Sequence, residues 1–328
     1  MHLMVIGGAG MIGARLVADL VAKGGLNGRA VTHLTLADVS LAPVPEGFSG
    51  KVTRVAVDLS APGVAAQLIA TRPDVIVHLA AIVSGEAERD FDKGYRINLD
   101  GTRALFDAIR AEGLRAAYCP RVVFTSSIAV FGAPMPDRIG DEYFRTPLTS
   151  YGTQKAICEL LLEDYSRRGV FDGVAIRLPT ICIRPGVPNK AASGFFSSIL
   201  REPLVGLEAV LPVPDTTRHY HASPRAAVGF LTHAAGIDTA LLGSRRALTM
   251  PGLSATVAEQ IEALRAVAGD KAVALIRQAR DEDVATIVAG WPRDFDAARA
   301  TALGFTAESS FEEIIRIHIE DALGGKLG

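Results

Sequence analysis

The sequence predicts an α/β fold: a doubly wound, mainly parallel sheet, with a smaller lobe formed mostly by the C-terminal half. Three observations carry this expectation. Short apolar runs alternate with stretches of helical period through the first half, the first run ends in regularly spaced glycines, and a Tyr-x-x-x-Lys pair follows a Thr-Ser-Ser segment at the end of a later run. The spacing predicts strands at Leu3–Ile6, His33–Ala37, Val52–Val57, Val75–Leu79, Val122–Thr125 and Val174–Leu178. Helices are expected over Met11–Lys23, Val64–Thr71, Tyr95–Glu112 and Tyr151–Arg168, the first with apolar residues at Ile12, Leu16, Leu20 and Val21. Right-handed crossovers would connect them. A nucleotide-binding domain over 1–178 is expected, the chain returning to it around 215–245, with 179–328 as the main part of the second lobe. After Leu178, Arg184-Pro-Gly-Val-Pro188 reads as a rigid turn, Arg218–Ala222 as a returning strand, and residues from Ser254 onward as mostly helical with a turn near Trp291-Pro292.

Bulk composition narrows the class. With 49% apolar and 21% charged residues, the chain of 328 can bury a large core and does not resemble a disordered one. A net charge of −2 gives no electrostatic case for nucleic acid or an anionic membrane. The three scattered cysteines, Cys119, Cys158 and Cys182, suit a reducing compartment and form neither a disulfide set nor a zinc motif. The first apolar run stops at glycines after a few residues, so it reads as a strand and a cytoplasmic location is expected.

Gly7, Gly10 and Gly13 follow the first strand and open the first helix, the context in which glycines let backbone N–H groups approach a pyrophosphate. This is the signature of a Rossmann-type sheet. Met11 and Ile12, at the helix start, join the expected cofactor contacts. Asp38 at the end of the second strand can accept hydrogen bonds from both adenosine ribose hydroxyls and would repel a 2′-phosphate, which favours NAD over NADP. Asp58-Leu59 and Leu79-Ala80-Ala81 fall after the third and fourth strands, on the same sheet edge. Asp58 is either an adenine contact or a turn former. Asn98 lies in a predicted helix, where asparagine is an indifferent helix former. It either keeps a water chain or the Lys155 ammonium hydrogen-bonded, among the cofactor-binding residues, or is a satisfied buried amide.

The reacting end is expected at Ser126, Ser127, Tyr151 and Lys155. A tyrosine and a lysine four apart share a helix face, where the ammonium can lower the phenol's pKa and ready it as a base. Ser127 would hold the reacting oxygen, with Ser126 close to the cofactor or the substrate. His219 and His221 would share one face of a strand. Packing or substrate contact explains them better than metal ligation, and no metal is expected.

Gly7–Gly13, Asp38, Asn98, Ser127, Tyr151 and Lys155 together resemble the extended short-chain dehydrogenase/reductase family over essentially the whole chain, including Arg218-His-Tyr-His221, Leu303-Gly-Phe305 and Phe311-Glu-Glu313. The resemblance implies NAD as cofactor, Lys155 on the nicotinamide ribose, Pro179 among the cofactor contacts, and a homodimer formed through the helices bearing Lys155 and Asn98. Nucleotide-sugar enzymes of that family usually carry an asparagine after the sixth strand, where this chain has Arg177-Leu-Pro179-Thr180-Ile-Cys182. The Ser-Ile-Ala-Val-Phe-Gly wording and late Trp291-Pro292 are similar instead to dehydrogenases of small hydroxy acids, the threonine dehydrogenase-like branch. A small carboxylate substrate wants a cation or a guanidinium fork. Arg184, Lys190 and Arg218 are candidates, Arg218 foremost because the similar family motif places it at the cleft, and Ser193 could add a hydroxyl.

Overall fold

The computed structural model describes residues 1–186 and 192–327. They form two units: Met1–Val130 with Pro147–Arg177 and Val228–Thr249, and Phe131–Thr146 with Leu178–Ala227 and Met250–Gly328.

In the first unit, strands β1 (His2–Ile6), β2 (His33–Asp38), β3 (Lys51–Ala56), β4 (Val75–His78), β5 (Arg121–Ser127) and β6 (Asp172–Leu178) alternate with helices α1 (Met11–Lys23), α2 (Val64–Ile69), α3 (Ser84–Arg89), α4 (Phe91–Gly94), α5 (Gly101–Arg115) and α6 (Ser150–Arg167). The sheet runs Ala247–Thr249, β6, β5, β4, β1, β2, β3. It is parallel, with Leu3 opposite both Leu34 and Val75, and Val75 opposite Arg121. Central strands read as continuous apolar runs because both their faces are covered, and β1 and β4 are almost wholly buried. The edge strand β3 is only half-buried and carries Lys51, Thr53 and Arg54. Strand order reverses between β1 and β4, the switch point at which such sheets open a crevice beyond their carboxyl ends. Below it, Phe106, Ile109, Phe171, Cys158 and Leu162 from α5, α6 and the β6 approach pack on Met4, Ile76 and Phe124.

The helix expected over Tyr95–Glu112 differs in its first turn and a half. Tyr95–Asp100 is a π-helical segment between α4 and α5. Side-chain bonds converge on it: the Thr102 hydroxyl donates to the Asn98 carbonyl at 2.7 Å, and the Asn98 amide clasps the Ile82 backbone through both its atoms, at 2.9 and 3.1 Å. Side-chain competition for a helical carbonyl loosens the winding there.

In the second unit, Arg218–Ala222 is the centre of a three-stranded sheet, antiparallel to Leu253–Thr256 and parallel to Thr180–Ile181. Phe131–Thr146 groups here because Ile139 exchanges backbone hydrogen bonds with Asp294 and Asp296, and Phe131 packs its ring on Phe295. Helices Gly194–Leu204, Val257–Ala268 and Phe311–Leu323 enclose Phe196, Ile199, Leu264, Ile314 and Ile315. Helices dominate beyond Ser254, but Ile276–Gln278 is a strand paired with Ala209–Leu211. Its half-buried and exposed side chains give it no apolar signature in the sequence.

Candidate active site

The carboxyl edge of the first unit's sheet gathers most of the expected residues. Gly7 turns with φ +94°, its N–H donating to the Ala37 carbonyl at 2.7 Å. A Cβ on Gly7 would stand 2.7 Å from the Ala80 nitrogen, and one on Gly13 would collide with the Gly7 carbonyl oxygen. Both positions therefore need glycine. Helix α1 starts after Gly10 with no side-chain cap and no acidic residue in its first turn. An uncapped N-terminus behind a glycine turn is a cradle for a pyrophosphate, so the residues present fit a dinucleotide. Asp38 sits beside it, its Oδ2 accepting from the Ala9 N–H at 2.9 Å and its Oδ1 from Val39 N–H at 2.7 Å. Leu79 and Ala80 donate their N–H groups to the Ile6 carbonyl, which brings the Leu79–Ala81 loop against the glycine turn.

Two of the expected cofactor contacts are occupied in other ways. Asp58 accepts from the Ser60 hydroxyl at 2.6 Å, from the Ser60 N–H at 2.9 Å and from Arg96 at 2.8 Å. The Ser60 hydroxyl and Arg96 hold its carboxyl below the usual range. Leu59 is buried in the core, which leaves its backbone as the part available to a ligand. Asn98 is a satisfied buried amide: besides Ile82 it donates to Gln154 Oε1 at 2.8 Å.

Ser127 ends β5, and its Oγ accepts from the Ala129 N–H at 3.1 Å. Helix α6 begins immediately over that segment. Thr149 caps it by accepting from the Gly152 N–H at 3.0 Å, and Gly152 lies so close to the Ala129 carbonyl that a Cβ would collide with it. That backbone contact presses the first turn of α6, with Tyr151, onto the end of β5. One turn on, Lys155 is buried, with Nζ donating to the Thr125 carbonyl at 2.8 Å and standing 5.7 Å from the centroid of the Tyr151 ring. Burial lowers its pKa to about 8, against the opposing pull of Cys158 and Glu159.

Sequence reasoning missed the surroundings of this lysine. Glu159 and Arg177 form a buried two-pronged pair, Nε to Oε1 and Nη2 to Oε2, both at 2.9 Å. His78, the last residue of β4, is buried with Nε2 2.9 Å from the Thr102 hydroxyl, and the Thr125 hydroxyl donates to the His78 carbonyl at 3.0 Å. Burial, with Lys155 adding to it, pushes the His78 imidazole down to about 3, so it is neutral. The one available signal was a histidine closing an otherwise apolar strand.

The residues expected on the substrate side belong to the second unit. Arg184 Nε donates to the Ile181 carbonyl at 3.0 Å, and its Nη2 reaches the Ser193 hydroxyl at 3.4 Å, so these two are brought together. Arg218 instead donates to the Ser254 carbonyl at 3.0 Å and pairs with Glu259 at 3.2 Å. Its guanidinium is thereby shared with a carboxylate of its own unit. Pro179 is buried in this unit beside Gly252. Lys190 lies outside the described residues. His219 is pinned on both nitrogens, by Pro292 O at 3.0 Å and Thr180 Oγ1 at 2.7 Å, and its ring stacks on Phe196. Because a carbonyl only accepts, Nδ1 carries the proton and Nε2 takes the threonine's. Among the described residues no group of three or more His, Cys, Asp or Glu side chains is placed to hold a metal ion, and no helix is long and apolar enough to cross a membrane.

Residues 3–218 match the profile of the NAD dependent epimerase/dehydratase family. The chain is 47% identical to D-erythronate dehydrogenase of Cupriavidus necator, over 98% of this chain and 99% of that one. It is 41% identical to the enzyme of the same name from Haemophilus influenzae, over 98% and 99%. Among solved structures, a nucleoside-diphosphate-sugar epimerase from Agrobacterium tumefaciens superposes with a TM-score of 0.98 at 68% identity, covering 100% of this chain and 96% of that one. A glycine turn that only glycines can form, the carboxylate beside it and the Tyr–Lys helix thus stand in a chain matched along most of its length, and the protein belongs to the NAD-dependent epimerase/dehydratase family.

Proposed function

We propose that the protein is an NAD-dependent dehydrogenase of a short sugar acid, oxidising the C2 hydroxyl of D-erythronate to 2-dehydro-D-erythronate with Tyr151 as base. The observation that carries this is the Tyr151–Lys155 pair at the end of β5, in a chain 47% identical to a D-erythronate dehydrogenase along nearly its full length. The glycine turn and the first amides of α1 (Met11, Ile12 and Gly13) bind the pyrophosphate, Asp38 the adenosine ribose, and the Leu79–Ala81 backbone flanks the dinucleotide. Bound NAD supplies the acceptor for a hydride from the substrate carbon. Tyr151 as phenolate takes the hydroxyl proton while the Ser127 hydroxyl holds that oxygen and Ser126 lies close by. The Lys155 ammonium favours the phenolate over the phenol and holds the nicotinamide ribose. Arg184 and Ser193 are the groups we assign to the substrate's carboxylate and remaining hydroxyls, a guanidinium fork suiting a carboxylate. Arg218, committed to Glu259, takes the lesser part.

A second reading, an NAD-retaining nucleotide-sugar epimerase or dehydratase, is favoured by the 68% identity to a chain described as a nucleoside-diphosphate-sugar epimerase. Thr180, in the segment where such enzymes usually carry an asparagine, counts against it, its hydroxyl being spent on His219. Absorbance in the NADH band separates the two. Incubation with NAD and D-erythronate is expected to produce NADH in amounts matching the acid consumed. Conversion of a UDP-sugar without net NADH, and no reduction with any four-carbon aldonate, would put the epimerase reading first.

We also propose a cytoplasmic homodimer built on α5 and α6. Leu160 on α6 and Leu114 on α5 are 54% and 76% exposed, apolar surface for a second copy to cover. Sedimentation at micromolar concentration is expected to give twice the chain mass, and a monomer would end the proposal.

A further inference from the structure

The Lys155 ammonium is buried, yet the base reading above needs it charged. Consecutive residues of β5 supply what burial removes. The Thr125 carbonyl accepts from Nζ at 2.8 Å, and the face of the Phe124 ring lies 4.6 Å from the same nitrogen. The Tyr151 ring centroid is 5.7 Å from that nitrogen. Phe124 is itself held rigidly: its side chain is fully buried in the core and its ring meets His78 at 5.7 Å. Of the neighbouring titratable groups, Glu159 supports the ammonium against burial, but its charge is shared. On α6, Glu159 is bound by Arg177 of β6, and burial keeps Cys158 a thiol, its pKa raised to about 11. On β4, His78 is neutral and hydrogen-bonded to Thr102 of α5.

We infer that Phe124 is a positioning residue for the Tyr–Lys pair: its ring face, with the Thr125 carbonyl, forms a seat that keeps the desolvated Lys155 ammonium charged and aimed at Tyr151. A cation over an aromatic face is stabilised most where water is excluded, as here. An aliphatic side chain of similar size would fill the space without that attraction. The role rests on Tyr151 being the base, and it acts through Lys155.

The sign of the effect follows from the coupled pair. Destabilising the ammonium makes the phenolate harder to form, so tyrosinate appears at higher pH. It also makes the lysine lose its proton sooner once the phenolate exists, so activity is lost at lower pH on the alkaline side. The test uses Phe124→Leu and Phe124→Met, with Phe124→Tyr as the ring-preserving control. Tyrosinate absorbance is titrated without cofactor in the parent and each variant, and the matching curve of a Tyr151→Phe background is subtracted to isolate the Tyr151 phenol. With D-erythronate and NAD, the alkaline limb of kcat is followed in parallel. Both aliphatic variants are expected to move the phenolate midpoint up, and the alkaline limb down, by about one pH unit each. Phe124→Tyr should hold both close to the parent. If a folded aliphatic variant keeps the parent's midpoint and limb, or if the ring-preserving variant shifts as far as they do, Phe124 has only a packing role. Should the parent itself show no tyrosinate below the ordinary phenol range, the base reading fails instead, which separates the two.

Discussion

Replacing Tyr151 with phenylalanine is expected to lower kcat for D-erythronate oxidation by about a thousandfold, within the span of roughly 10²–10⁴ that a positioned acid or base contributes. The substitution removes one hydroxyl and leaves the ring whose centroid lies 5.7 Å from Lys155 Nζ. The residues proposed to form the dinucleotide cradle stand elsewhere, at the glycine turn and Asp38. NAD affinity by calorimetry should therefore stay near the parent's. An equal fall in kcat and kcat/KM with unchanged cofactor binding is the signature of an interaction made only in the transition state. A Tyr151→Phe enzyme that keeps most of its kcat with NAD bound would remove Tyr151 from the role of base.

Most of the dinucleotide half was legible because its constraints are local. The helix over Met11–Lys23 and the strand at His33–Asp38 follow from period, glycine placement and a terminal aspartate, all of which act within a few residues. Asp58 and Asn98 were ambiguous because a polar side chain at a loop or helix serves a ligand or the chain's own backbone equally well. The partners each one has in the fold are distant in sequence, Arg96 for the one and Ile82 and Gln154 for the other. Arg218 shows the same limit from the other side. As a cation its residue type suits a carboxylate substrate, but Glu259 lies far along the chain and is brought to it by the pairing of Arg218–Ala222 with Leu253–Thr256. Phe124 looks like any core residue of an apolar strand, and its place over an ammonium depends on the angle at which α6 crosses β5.

The Arg177–Glu159 pair ties α6, which carries Tyr151 and Lys155, to the C-terminal end of β6. Neither side chain exposes more than 8% of its surface, so solvent screens their attraction little. Taking two charges out of water is itself expensive, and such a pair adds little net stability compared with a well-packed apolar one. Breaking it is another matter, because the remaining charge keeps its desolvation cost without its partner. Arg177→Met is therefore expected to destabilise the protein by about 3–5 kcal/mol, whereas Glu159→Met/Arg177→Met should recover most of that loss. Urea unfolding with an unchanged slope reads both directly. The pair also bears on the chemistry. Glu159 follows Lys155 by one turn of α6, and without the guanidinium its carboxylate becomes a competitor for the ammonium that the proposed base, Tyr151, needs. The single variant should thus lose activity beyond what its folded fraction explains, and the double variant should regain it. Equal stability of the single variant and the parent would mean that the pair is replaceable by packing alone, and α6 would then owe its position to the Gly152–Ala129 contact and the core beneath it.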